Sequence, residues 1–128
     1  MKNTSEKIQT AHQNDLQWQK DIAFYADEII LLRQKLGEVS SKNTSKEIKM
    51  MVSHFENQFI INKELIDELR HDIHMRENNL TELMKINPVA YEHRIVTQDA
   101  ELRGKMLVFE KMFTELRKSF NKFLSETL

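Results

Sequence analysis

The segment of this chain that comes nearest to metal chemistry is Glu68-Leu69-Arg70-His71, with His74 close behind it. A Glu-x-x-His pair sets a carboxylate and an imidazole on one face of a helix. Di-iron and di-manganese bundles use two such pairs, with two further glutamates opposite, all directed inwards. This sequence holds one copy. A metal-carboxylate bundle of the oxidase or storage type, using Glu68 and His71, is therefore the alternative reading and not the leading one. His71 and His74, spaced i, i+3 with Asp67 nearby, could also share a transition metal at the surface; the competing reading is three solvated side chains.

The other histidines, His12, His54 and His93, give no catalytic pairing. There is no cysteine, so no disulfide framework, thiolate metal site or cysteine nucleophile can exist. No glycine-rich phosphate loop is present. Serine and threonine gather at the termini and turns, where capping accounts for them. The expectation is a protein without catalytic residues, cofactor or metal.

What positions these side chains is a periodic apolar pattern at 3- and 4-residue spacing, the mark of amphipathic helices. Three segments carry it as heptad a and d positions. The first runs Ile8, Ala11, Asp15, Trp18, Ile22, Tyr25, Ile29, Leu32, Leu36. The second runs Ile48, Val52, Phe55, Phe59, Asn62, Ile66, Leu69, Ile73, Arg76, Leu80, Leu83. The third runs Ile95, Asp99, Leu102, Met106, Phe109, Phe113, Leu116, Phe120, Phe123. Only Asp15, Asn62, Arg76 and Asp99 are polar. In this register Glu68 and His71 both fall off the seam, which counts against a buried metal site.

The breaks agree. Gly37 stands where a left-handed C-terminal cap is expected. Thr44-Ser45-Lys46-Glu47 reads as a capping box led by Thr44 and Glu47. Asn87-Pro88 forms a compact stop and restart. The predicted fold is all-α: one elongated antiparallel three-helix bundle with coiled-coil-like packing, filling 1–128 as a single domain. Helices are expected at about 5–36, 45–86 and 88–126, with 1–4 disordered. The middle helix would be about 60 Å long at ~1.5 Å per residue. In outline this architecture resembles spectrin-type repeats and several small cytosolic chaperones; the resemblance carries over no functional residue.

The turn at Asn87 also sets a register. Arg76 lies eleven residues before it and Asp99 twelve after it, so the two seam charges should face each other as a buried polar pair. Such a pair fixes register, or else lines a polar pocket. Asn62 and Asp15 are expected to act as further register or hydration points, with Arg70 a neighbour of Asp15.

Composition narrows the function classes. Net charge is −1, with 40 % hydrophobic and 30 % charged residues, so no basic excess points to nucleic acid or an anionic membrane. The longest apolar run, Ile29-Ile30-Leu31-Leu32, is too short to span a bilayer. A polar N-terminus without a signal-like stretch makes the cytoplasm the expected location.

The positive lead is apolar surface beyond the seam: Phe24, Ile30 and Leu31 on the first helix, Ile60 and Ile61 on the second. Leu107, Val108 and Met112 add to it on the third. Exposed apolar patches mark interfaces. The sequence thus predicts a structural or interaction protein that docks a helical partner, or itself as a homodimer, with Phe24, Leu31 and Ile61 as anchors. A small chaperone or adaptor for an amphipathic client helix is the same idea with a different occupant.

Overall fold

The computed structural model describes residues 3–85 and 91–128, apart from the side chains of Leu83 and Met84. Three long helices account for nearly all of it: α1 (Thr4–Lys42), α2 (Lys46–Lys85) and α3 (Glu92–Thr127). There is no strand among the described residues. The expected turn at Asn87 and Pro88, and the seam side chain of Leu83, lie outside the described residues.

The helices pack as an antiparallel three-helix bundle, and the cross-helix contacts show the directions. Between α1 and α2 the sequence separation shrinks from 65 at His12–Glu77 to 23 at Arg33–Glu56. Between α2 and α3 it widens from 23 at Arg76–Asp99 to 33 at Asp72–Lys105. Between α1 and α3 it stays near constant, 85 at Lys7–Glu92 and 89 at Glu28–Arg117. Thus α1 and α3 run parallel and α2 runs against both.

Several helix ends and caps differ from the sequence expectation, among them the start of α3, which opens at Glu92 and not at about 88. Asn3 caps α1: its side chain accepts from the Glu6 amide at 2.8 Å, and the helix opens at Thr4. Gly37 is not a C-terminal cap, because α1 continues through it to Lys42. The reason is Val39, which is fully buried as the next seam residue. Burying a valine side chain contributes about 1.5–3 kcal/mol, more than the ~1 kcal/mol that a helix-interior glycine costs. Asn43 ends the helix instead, donating from its side chain to the Val39 carbonyl at 2.9 Å. At the start of α2 the capping residue is Ser45, one place after Thr44: the Ile48 amide donates to its Oγ at 3.4 Å.

The seam forms two unequal cores. The larger joins Trp18 through Val39 of α1 to Phe55–Ile73 of α2 and Leu102–Phe123 of α3. Its wide end is aromatic: the Phe59 and Phe120 rings meet edge to face at 5.1 Å, and Phe55 lies 5.2 Å from Phe120. The smaller core comprises Ile8, Ala11, Leu80 and Ile95 at the opposite end of the bundle. A layer of buried charge sits between the two. No helix is long and apolar enough to cross a membrane among the described residues.

Candidate functional site

The charge layer is centred on Arg76. Its guanidinium donates to Asp15 in a bidentate arrangement, with Nε 2.9 Å from Oδ1 and Nη2 on the same carboxylate. It donates from Nη1 to Asp99 at 2.8 Å, and from Nη2 to the Ala11 carbonyl at 3.1 Å. The guanidinium also lies over the Trp18 ring, 5.3 Å from its centroid. Asn14 donates to Asp99 at 3.1 Å. All three helices therefore meet on one cation. Arg76 and Asp99 face each other, but Asp99 is 24 % exposed while Arg76 and Asp15 are fully enclosed.

The neighbour expected for Asp15 is not there: Arg70 lies at the surface, paired with Asp67 at 3.3 Å. The heptad register explains why. Arg76 is a seam residue and Arg70 is not, so only Arg76 reaches the axis beside Asp15.

Burial raises the Asp15 carboxyl to about 7, against the pull of Arg76, and nearby Glu77 adds to the rise. Burial pulls on Arg76 in the opposite sense to its carboxylate partners, and the carboxylates outweigh it, so its value lies above the usual one. Arg76 and Asp15 are turned inwards on other groups of the chain, while Asp99 stays partly open to solvent beside Arg103. The cluster ties three helices together. Asn62 is the second buried polar group: its amide donates to the Gln58 carbonyl at 2.8 Å, while its Oδ1 has no partner among the described residues.

Glu68 and His71 do not converge. Both are exposed, and they line different hollows on opposite flanks of α2. His71 and His74 share a hollow of about 640 Å³ with Gln19, Ile22, Asp67 and Arg70. Ile22 is its sole apolar lining residue among the described residues, and Arg70 already engages the Asp67 carboxylate. Among the described residues no group of three or more histidines and carboxylates is placed to hold a metal ion.

The five residues expected to carry an interface are all exposed, Phe24 at 66 % and Leu31 at 58 %, and they are spread around the rod. Ile30 lines the α1–α2 groove with Arg33 and Glu56; Ile60 follows Glu56 by one turn and flanks the same side. Phe24 and Leu31 lie one turn either side of Glu28, which pairs with Arg117 of α3, so they flank the α1–α3 side. Ile61 precedes Leu65 by one turn and flanks the α2–α3 side. Adjacent heptad positions b and c sit on opposite flanks of a helix whose seam faces two partners, and this separates Ile30 from Leu31 and Ile60 from Ile61.

An apolar hollow of about 480 Å³ lies in the α2–α3 groove. Leu65 and Leu69 line it from α2; Ala100, Gly104, Val108, Phe109 and Met112 line it from α3. Val108 is 62 % exposed and its neighbour Leu107 is similarly open. A Cβ added at Gly104 would meet no atom within 4 Å, so the α3 wall is lowest there. The sequence signal for this site is the i, i+4 run Ala100, Gly104, Val108, Met112, small residues leading into larger apolar ones.

Compared with protein-family models, with curated proteins and with solved structures, the chain matches none of them.

Proposed function

We propose that this chain is a non-enzymatic interaction module, a three-helix rod that seats one further helix in the groove between α2 and α3. The observation that supports this most directly is Val108, standing exposed at the edge of a groove backed by Leu65, Leu69 and Phe109. A fourth helix laid there would cover Val108 and Met112 and approach closely over Gly104. This is helix-in-groove recognition, in which a few apolar anchors at i, i+3 or i+4 and i+7 carry most of the affinity. An adaptor, or a chaperone holding an amphipathic client helix in the cytoplasm, would act in this way.

A second copy of the chain is the second reading, favoured by Phe24 and Leu31, which lie exposed seven residues apart on the α1–α3 side. Burying those two residues would give a symmetric dimer without using the α2–α3 groove. Light scattering on Phe24→Glu/Leu31→Glu separates this reading: a wild-type dimer that becomes a folded monomer supports it, and a wild-type monomer removes it. The docking reading is tested by mapping where an amphipathic helical peptide touches the chain.

A further inference from the structure

We propose that the helix received by the α2–α3 groove is cationic and amphipathic, its apolar stripe over Gly104 and Val108 and its lysines or arginines flanking towards Glu68 and Glu101. This rests on the docking reading above and adds the partner's charge to it.

Four charged side chains line the groove: Glu68 and Asp72 on α2, Glu101 and Lys105 on α3. Lys105 donates to Asp72 at 2.8 Å across the groove and its charge also acts on Glu101 and Glu68, so three carboxylates share one cation and the groove keeps a net negative charge. Glu68 and Glu101 make no ion pair among the described residues. One stands on each wall, so the negative charge left over borders the apolar floor on both sides. A helix with its side chains is ~10–12 Å across, so an occupant would hold its two polar flanks towards these two walls. Positive flanks complement both glutamates; negative flanks would be repelled twice. Rim charges of this kind act mainly on association rate and partner choice, and salt weakens them.

The same charges argue against a second copy as the occupant. A symmetric contact through this groove would bring the Glu68 and Glu101 of one copy against those of the other. Gly104 supplies the steric half of the fit. Glycine weakens a helix interior, and nothing among the described residues requires it here, since a Cβ would meet no atom within 4 Å. What its absence of side chain leaves is room for a backbone to approach from outside.

The test uses the intact chain and three labelled helical peptides of about 18 residues, or five turns. All three share one leucine stripe, and their flanking positions are lysine, glutamine or glutamate. Fluorescence anisotropy at low salt should give affinities in the order lysine, glutamine, glutamate, with the lysine peptide about tenfold tighter than the glutamine one. Glu68→Gln/Glu101→Gln should erase that lead, as should about 0.5 M salt. Gly104→Leu, whose Cβ would meet no atom within 4 Å, should weaken all three peptides, with circular dichroism confirming an intact helix content. Equal affinities that remain sensitive to Gly104→Leu would overturn the charge inference and leave the docking reading standing. No binding, or binding indifferent to Gly104→Leu, would overturn both.

Discussion

Arg76 and Asp15 form a bidentate ion pair on the axis of the bundle, between its two cores, with both side chains sealed from solvent. The pair joins α1 to α2, and the remaining Arg76 donor reaches Asp99 on α3. A slipped alignment of any one helix would bury a charge without its partner. The layer therefore acts on register more than on net stability, since a buried ion pair recovers little beyond its own desolvation cost.

Removing one member and removing two should have opposite consequences. Arg76→Met leaves Asp15 buried beside no cation and should cost about 3 kcal/mol in urea unfolding. Arg76→Met/Asp15→Leu replaces the pair by apolar volume, and Asp99 can turn to water because it is partly exposed. The double variant should recover most of the loss. Equal destabilisation in both variants would contradict the burial cost assigned to the unpaired carboxylate.

The same cluster predicts a pH dependence. Asp15 is raised from an ordinary value of 3.8 to about 7, with burial as the main cause and Glu77 assisting against Arg76. The folded protein takes up this proton before the unfolded chain does. The stability contributed through Asp15 is thus fully present below the unfolded value and is lost as the pH rises through about 7. Urea midpoints of the wild type should rise between pH 8 and pH 5 relative to those of Asp15→Asn, which cannot titrate. Parallel pH profiles for the two proteins would contradict the raised value.

Gly37 distinguishes a helix interior from a helix end. In a left-handed cap an alanine would be strained and destabilising. Here the backbone is helical, no glycine among the described residues has a positive φ, and an added Cβ meets nothing within 4 Å. Gly37→Ala should therefore stabilise the protein by about 0.5–1 kcal/mol. A loss of stability in thermal unfolding would return Gly37 to the role of a cap.

These cases show what the sequence could and could not reveal. The seam was readable because helical spacing persists through each segment with four polar interruptions, and the buried residues follow it. The facing of Arg76 and Asp99 followed from the turn expected at Asn87, since one antiparallel pair needs only one reference point. The Asp15–Arg76 contact was missed because a third helix brings its own register, which no turn signal fixes to that precision. Gly37 misled because its local preference is weaker than the burial of Val39 two residues later. The apolar surface was legible residue by residue but not as a layout: helical wheels show which residues leave the seam, but the groove each one enters depends on which neighbour lies on which flank.

The most direct test of the docking reading is an amide and methyl NMR map of the chain titrated with the glutamine-flanked leucine peptide. On that reading, progressive shifts are expected at Leu65, Leu69, Gly104, Val108 and Met112, with Ile30, Ile60, Phe24 and Leu31 unmoved. Shifts centred on Phe24 and Leu31, on the Ile30–Ile60 side, or nowhere would contradict it.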